Sequence, residues 1–206
     1  QTENRPALHH RYRSPDPTPE FNFRKICAPL IKQIKKDKYQ NIITFGIGGS
    51  YEGPKLLQEF LLNPASDINY SFVSGPDKDE FNSIVKPLLG QKNLYIFASK
   101  SLATNETLSC LKWLGKNRTD KNSIVITANA EGAKALGFAD ASIVPFPESV
   151  GGRYSVWSPI SLTAAIENNF MGFLQGGSLA DMLISGTSLD AKKYQKLIKT
   201  LAFSDI

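Results

Sequence analysis

The feature that most constrains the fold of this chain is a repeated alternation of short apolar segments with amphipathic stretches. The apolar segments are rich in β-branched and aromatic residues and lack the polar alternation of a half-exposed strand. They lie at 41–45, 70–73, 94–98, 123–127 and 142–146. Strands that are apolar throughout and are separated by helices are covered on both faces. The sequence therefore predicts an α/β fold, a three-layer αβα sandwich around a five-stranded parallel sheet.

The rest of the chain divides around this core, which we expect to form one domain over residues 20–154. Residues 1–19 are polar and rich in proline, a composition that predicts an extended N-terminal arm. Residues 155–206 hold no further strand-like segment and have the apolar spacing of helices. Because the chain has no initiating Met, we expect it to be part of a longer protein, with these C-terminal helices leading to a second domain that it does not contain.

The C-terminal part is expected to hold two separate helices. Apolar residues recur at helical spacing over 155–173 and again over 179–201. Gly176 and Gly177 lie between the two stretches, and glycine is unfavourable inside a helix. The sequence therefore predicts a break at these glycines.

Composition excludes several classes of protein. The 24 Lys and Arg residues exceed the 19 Asp and Glu residues, and the net charge of +5 favours an anionic ligand without indicating nucleic acid. No apolar run approaches the ~20 residues of a membrane-spanning helix. The histidines are only His9 and His10, and Cys27 and Cys110 lie far apart in apolar segments. We therefore expect no metal site, and two buried thiols that suit the reducing cytoplasm.

The first candidate binding segment is the glycine-rich run at 46–50, directly after the first predicted strand. Ligands of open parallel sheets bind beyond the carboxyl ends of the strands. Glycines let the backbone approach a ligand there, and the helix that follows offers free N–H groups. The run fits neither a Walker motif nor G-x-G-x-x-G, because Tyr51 occupies the place of the third glycine. A tight turn with a purely structural role remains the alternative.

The second candidate segment is 99–104, Ser-Lys-Ser-Leu-Ala-Thr, which follows the third predicted strand. Its hydroxyls can donate to phosphate oxygens, and Lys100 supplies a positive charge. The alternative is an ordinary helix N-cap, with Glu106 as the carboxylate of the first turn.

The third candidate segment is 150–158, in which two glycines precede Arg153. The glycines would let both the backbone and the guanidinium approach a substrate. Taken alone, the segment is equally well explained as a loop arginine beside a buried Trp157.

Together, the segments GIGGSYEGP, SKSLATNET and VGGRYSVWS closely resemble the glucose-6-phosphate isomerase (phosphoglucose isomerase) family. The lead-in at 2–9, TENRPALH, is similar to the T-E-x-R-A-x-L-H of that family, so the resemblance covers nearly the whole chain in the same order. The first two motifs alone would indicate only the wider group of sugar-isomerase (SIS) domains. VGGRYSVWS is the specific motif.

The resemblance implies a SIS domain with flavodoxin-like strand order. It implies reversible aldose–ketose isomerisation of glucose 6-phosphate and fructose 6-phosphate through a cis-enediol, without a cofactor. The implied partners are a sugar-phosphate substrate and, in the full-length protein, a second copy in a homodimer, with no nucleic acid and no membrane. The implied location is cytoplasmic.

The resemblance also assigns site residues by position. Arg153, with Gly152, is expected to lie beside the reacting carbons, where a fixed guanidinium stabilises the developing enediolate. The phosphate is expected to be held by Gly49 (through its amide), Ser50, Ser99, Lys100, Ser101 and Thr104. Ser101 stands where the family more usually has threonine, and the serine keeps the hydroxyl group. Pro6 and the pair after His10 depart from the family pattern in the arm.

No residue of the chain can be assigned as the catalytic base. The proton-transferring glutamate, the ring-opening histidine and a late lysine of the family belong to motifs that the sequence does not reach before Ile206. Glu52, Glu106 and Glu148 lie near the predicted loops but match none of them.

Two alternatives to an isomerase fit the sequence less well. A stand-alone phosphosugar-binding SIS module, as in regulators, would need neither the arginine motif nor the arm, and no basic helix-turn-helix is visible. A dinucleotide-binding protein would need an acidic residue after the second strand, and Asp77 is badly placed for that role.

Overall fold

The five predicted strands are all present and form one parallel sheet. The structure, a computed structural model, describes residues 8–14, 16–61, 63–166 and 170–185. The strands are β1 (Asn41–Gly46), β2 (Asn69–Val73), β3 (Asn93–Ala98), β4 (Ser123–Thr127) and β5 (Ile143–Pro145). Their order is β2-β1-β3-β4-β5, with every neighbouring pair parallel. The α/β fold and its flavodoxin-like strand order are thereby confirmed.

Helices cover both faces of the sheet. They are α1 (Phe23–Asp37), α2 (Glu52–Leu61), α3 (Lys78–Val85), α4 (Asn105–Leu114), α5 (Ala130–Ala135), α6 (Leu162–Ala165) and α7 (Phe170–Ser185). Successive strand residues point to opposite faces, so Ile42 packs with α1, α2, α6 and α7. Ile43 packs with α3, α4 and α5. One apolar cluster lies on each face of the sheet, between the sheet and its helices, which gives the three predicted layers.

The described part of the N-terminal lead-in is a packed turn and not the extended arm expected for residues 1–19. His9–Arg13 form a 3₁₀ helix. Tyr12 is buried within it and meets the Phe21 ring edge-on, with 5.2 Å between the ring centroids. The His9 ring stacks on Tyr154 at 4.3 Å. Aromatic burial therefore holds this turn, and the lead-in motif before Leu8 lies outside the described residues.

The helix predicted over 155–173 is divided into shorter elements. Gly152–Trp157 and Pro159–Ser161 are 3₁₀ helices, and α6 and α7 follow. Pro159 has no N–H for a continuing helix, and Ser158 Oγ instead accepts from Ile160 N at 3.2 Å as a new cap.

The predicted break at Gly176 and Gly177 is wrong, because α7 runs through both glycines. A Cβ on Gly177 would collide with the ring of Trp157. Trp157 in turn stacks on Phe173, with ring centroids 4.1 Å apart. Glycine here permits close packing and does not end the helix. The helix predicted over 179–201 lies outside the described residues from 186 onward.

Asparagine side chains join three strands at the amino edge of the sheet. Asn41 of β1 lies in register with Asn69 of β2 and Asn93 of β3. Asn41 Nδ2 donates to Asn93 Oδ1 at 2.8 Å and to Gln91 Oε1 at 2.9 Å. Asn69 Nδ2 donates to Asn41 Oδ1 at 3.2 Å. Because Asn41 and Asn93 are buried, these bonds satisfy groups that water does not reach.

We predict that Asn41→Ala lowers the free energy of unfolding by about 1–3 kcal/mol, since it leaves buried amide groups of its neighbours without partners. Urea denaturation measures the change. Gln91→Ala is the control, because Gln91 is an exposed member of the same cluster. Equal losses in the two variants would show that the asparagine cluster does not stabilise the sheet.

Candidate functional site

The strand order brings two of the three candidate segments to one point. From β1 the chain crosses to β2 on one side, then returns past β1 to β3 on the other side. The carboxyl ends of β1 and β3 are thus neighbours at the switch point, where open parallel sheets bind ligands. Gly46 and Ala98 lie side by side as register partners. The segments 46–50 and 99–104 therefore leave the sheet from adjacent positions.

The loop after β1 turns back tightly over the end of its own strand. Gly48 has a φ of 55°, a left-handed conformation that favours glycine. A Cβ on Gly46 would lie 2.5 Å from the Ser50 carbonyl oxygen. Ser50 N donates to Ile47 O at 3.1 Å, which closes a 3₁₀ turn ahead of α2. The turn itself accounts for Gly46 and Gly48.

Gly49 has a different reason to be glycine, because the arginine segment packs directly on it. A Cβ at Gly49 would collide with the carbonyl group of Gly152. The buried Ser155 Oγ lies 2.7 Å from Gly152 O and 3.1 Å from Gly49 O, and donates between them. The first and third candidate segments are therefore joined through their backbones. Sequence reasoning missed Ser155, although its hydroxyl stands within the specific motif.

The loop after β3, residues 99–104, is held by its own hydroxyl groups. The Oγ of buried Ser99 accepts from Leu102 N at 3.2 Å and lies 3.5 Å from Thr104 Oγ1. Thr104 precedes α4, yet its side chain accepts no backbone N–H there. It donates instead to Thr107 Oγ1 at 3.1 Å. The Thr104 hydroxyl therefore does not form an ordinary N-cap.

Two cations stand at this edge of the sheet without a carboxylate partner. Within the described ranges, neither Lys100 nor Arg153 forms an ion pair. Arg153 is exposed, and its guanidinium carbon lies 5.9 Å from the centroid of the Tyr154 ring. Lys134, by contrast, pairs with carboxylates on two sides. Unneutralised cations in the loops that follow β3 and β5 favour an anionic ligand.

Glu106 and Cys110 are titratable groups that lie at this edge of the sheet. Glu106, in the first turn of α4, lines a small space together with Gly46 and Cys110. Burial raises the pKa of the Cys110 thiol to about 12, so this thiol stays protonated at neutral pH. The part of the chain that the structure describes holds no group of three His, Cys, Asp or Glu side chains arranged for a metal ion. Nor does it hold a helix with the length and apolar character to cross a membrane.

Sequence comparison finds one family. The sequence model of phosphoglucose isomerase matches residues 24–198. A glucose-6-phosphate isomerase of Zymomonas mobilis is 36% identical over 152 residues, which are 69% of this chain and 30% of that protein. One from Saccharophagus degradans is 31% identical over 208 residues, 87% of this chain and 38% of that protein. Across the relatives compared, the chain spans between 26% and 40% of their length.

Solved structures share the fold. A glucose-6-phosphate isomerase from Chlamydia trachomatis superposes with a TM-score of 0.74 at 22% identity, over 89% of this chain and 40% of that one. A hypothetical protein from Thermus thermophilus superposes with a TM-score of 0.60 at 22% identity, over 86% of this chain and 48% of that one. At this identity the likeness extends to the fold alone.

We predict that Gly49→Ala lowers the free energy of unfolding by about 1–3 kcal/mol, because the new methyl group forces the two loops apart. Gly152→Ala is the matched control, since its Cβ would meet no atom within 4 Å, and it should change stability by less than about 0.5 kcal/mol. Thermal and urea unfolding compare the two. The reverse ranking would contradict the contact between these loops.

Proposed function

The chain belongs to the phosphoglucose isomerase family, and from this premise we propose that it forms the sugar-phosphate-binding part of a glucose-6-phosphate isomerase. That enzyme would interconvert glucose 6-phosphate and fructose 6-phosphate through a cis-enediol, without a cofactor. The observation that carries the proposal is the register of Gly46 with Ala98. Both candidate phosphate-binding loops, 46–50 and 99–104, begin at these two residues. The packing of Gly152 on Gly49 supports the same arrangement.

The phosphate of the substrate is proposed to lie between the loops after β1 and β3. Ser50 and the Gly49 amide would donate from one side, and the exposed Ser101 hydroxyl from the other, with Lys100 supplying the charge. Thr104 would donate from the rim. Ser99 is buried beneath the loop, so its proposed contribution passes through its 3.5 Å contact with Thr104 Oγ1.

Arg153, with Gly152, is proposed to act at the reacting carbons. Removing a proton next to the carbonyl group builds negative charge on the enediolate oxygens, and a fixed guanidinium stabilises that charge more than it stabilises the substrate. The proposed phosphate-binding residues are hydroxyls, an amide and a lysine, none of which is a base at neutral pH. We therefore propose that the base comes from outside this set of residues.

Residues 20–154 would form the SIS domain, 1–19 a lead-in to it, and 155–206 the connection to a second SIS domain of the full-length protein. A homodimer in the cytoplasm is proposed on two grounds. Leu56 and Phe60, one turn apart on α2, are 67% and 82% exposed and would suit an interface. The buried free cysteines suit a reducing compartment.

Lys100→Ala should weaken binding of fructose 6-phosphate by about 1.5–3 kcal/mol, because a charge-assisted contact to phosphate is lost. Binding of fructose should not change. Lys121→Ala is the control: it removes the same charge at the amino edge of the sheet, where Lys121 lines a separate groove. Calorimetry on the three proteins gives the comparison. If Lys100→Ala and Lys121→Ala behave alike, Lys100 is a surface charge and not a phosphate ligand.

In the full-length parent, Arg153→Ala should lower kcat by a factor on the order of 10²–10³ while KM changes little. Arg153→Lys keeps the charge without the guanidinium geometry and should fall in between. Steady-state kinetics of fructose 6-phosphate conversion provide both constants. An intact kcat with a raised KM would reassign Arg153 to substrate binding. If the unmutated full-length protein binds fructose 6-phosphate without converting it, that result would favour the alternative, a phosphosugar-binding module.

A further inference from the structure

We propose that Thr127 and Asn129, which flank Ala128 at the carboxyl end of β4, are positioning residues for the loop of residues 99–104. We call this loop the phosphate loop. The inference rests on the proposed function, because it assigns to that loop the binding of a phosphate group. Neither residue belongs to the three motifs of the family resemblance. Both are connected to the loop by hydrogen bonds to its backbone carbonyl groups.

The Lys100 carbonyl is held by two donors from the end of β4. Thr127 Oγ1 donates to Lys100 O at 3.0 Å, and Ala128 N donates to the same oxygen at 2.9 Å. Thr127 Oγ1 itself accepts from Asn129 N at 3.0 Å, so its hydroxyl proton is directed at the loop. Thr127 is only 1% exposed. It therefore cannot touch a ligand, and any effect on binding must pass through the loop.

This anchoring fixes the direction of a backbone donor. The peptide between Lys100 and Ser101 is trans, as are all described peptides, so its N–H points opposite to its carbonyl group. Because the carbonyl of Lys100 points toward β4, the N–H of Ser101 points away from β4. Since β3 lies between β4 and β1, that direction leads toward the glycine loop after β1. Ser101 N–H donates to no described residue, and so is available to an anion.

Asn129 holds the next peptide and a helix with one side chain. Its Nδ2 donates to Ser101 O at 3.1 Å, and its Oδ1 accepts from Gly132 N at 2.8 Å as the N-cap of α5. The following residue, Leu102, has a φ of 51°, which is unfavourable for a non-glycine residue. Such strain persists where the surroundings over-determine the backbone. The bond from Asn129 to Ser101 O and the bond from Leu102 N to Ser99 Oγ both hold the peptide that precedes the strained residue, and so supply that restraint.

The same strand provides a matched control for a merely structural role. At the amino end of β4, Ser123 Oγ donates to Thr119 O at 2.7 Å, and Ser123 is 2% exposed. This bond resembles that of Thr127 in burial and in kind, yet it lies at the opposite edge of the sheet. Loss of either hydroxyl should reduce stability, whereas only the loss at Thr127 should affect binding.

The experiment measures binding of fructose 6-phosphate and of fructose to the full 206-residue chain by calorimetry. Thr127→Val removes the hydroxyl and should raise Kd for fructose 6-phosphate about tenfold, the equivalent of about 1.4 kcal/mol. Thr127→Ser keeps the donor and should restore binding. Ser123→Ala should lower the urea midpoint to a similar extent as Thr127→Val, with Kd changed by less than about twofold.

A second variant keeps the proposal testable if Thr127→Val does not fold. Asn129→Ser retains an N-cap side chain for α5 but cannot reach Ser101 O, and should also raise Kd. When the unmutated 206-residue chain is titrated with inorganic phosphate, the amide NMR signal of Ser101 should shift. It should shift less in both variants.

Two results would overturn the inference in distinguishable ways. If the parent chain binds fructose 6-phosphate and the variants at Thr127 and Asn129 bind it equally well, the positioning role is wrong while the proposed function stands. If the parent chain binds neither fructose 6-phosphate nor phosphate, the proposed function fails and the positioning role fails with it.

Discussion

The pairing of β1 with β3 is the constraint on which the rest of the site depends. It places Gly46 beside Ala98 at the point where the strand order reverses. The two loops therefore leave the sheet side by side, with no helix between them. The backbone contact of Gly49 with Gly152 then adds the arginine segment, which lies more than one hundred residues further along the chain. Without this strand order the same motifs would be separate surface loops.

The charges and hydroxyls at this edge differ from those elsewhere in the described structure. Lys134 is paired with Glu131 and Asp140 at 3.2 and 3.3 Å, while Lys100 and Arg153 have no such partner among the described residues. Exposed cations cost little when left unpaired, and they raise the local concentration of anions. Beneath them, the loops are stabilised by buried hydroxyls such as Ser155 and Thr127, which fix backbone groups without meeting solvent.

Much of the fold could be predicted because burial on both faces leaves a continuous apolar signal in the three inner strands, β1, β3 and β4. The loops at 46–50 and 99–104 could be located for the same reason, since each follows such a strand. What the sequence could not reveal depends on contacts between distant residues. Gly177 looks like a helix breaker until Trp157 is seen against it. The turn at Tyr12 and the hydroxyl of Ser155 likewise depend on partners elsewhere in the chain, Phe21 and Gly49 respectively.

The most direct test of the proposed phosphate site is a crystal structure of the chain with fructose 6-phosphate bound. The phosphate is expected to lie between Ser50 and the loop 99–104, within hydrogen-bonding distance of the Ser101 N–H and beside Lys100, with the sugar directed toward Arg153. A sugar phosphate bound at the opposite edge of the sheet, for example in the groove between Tyr39 and Lys121, would contradict it.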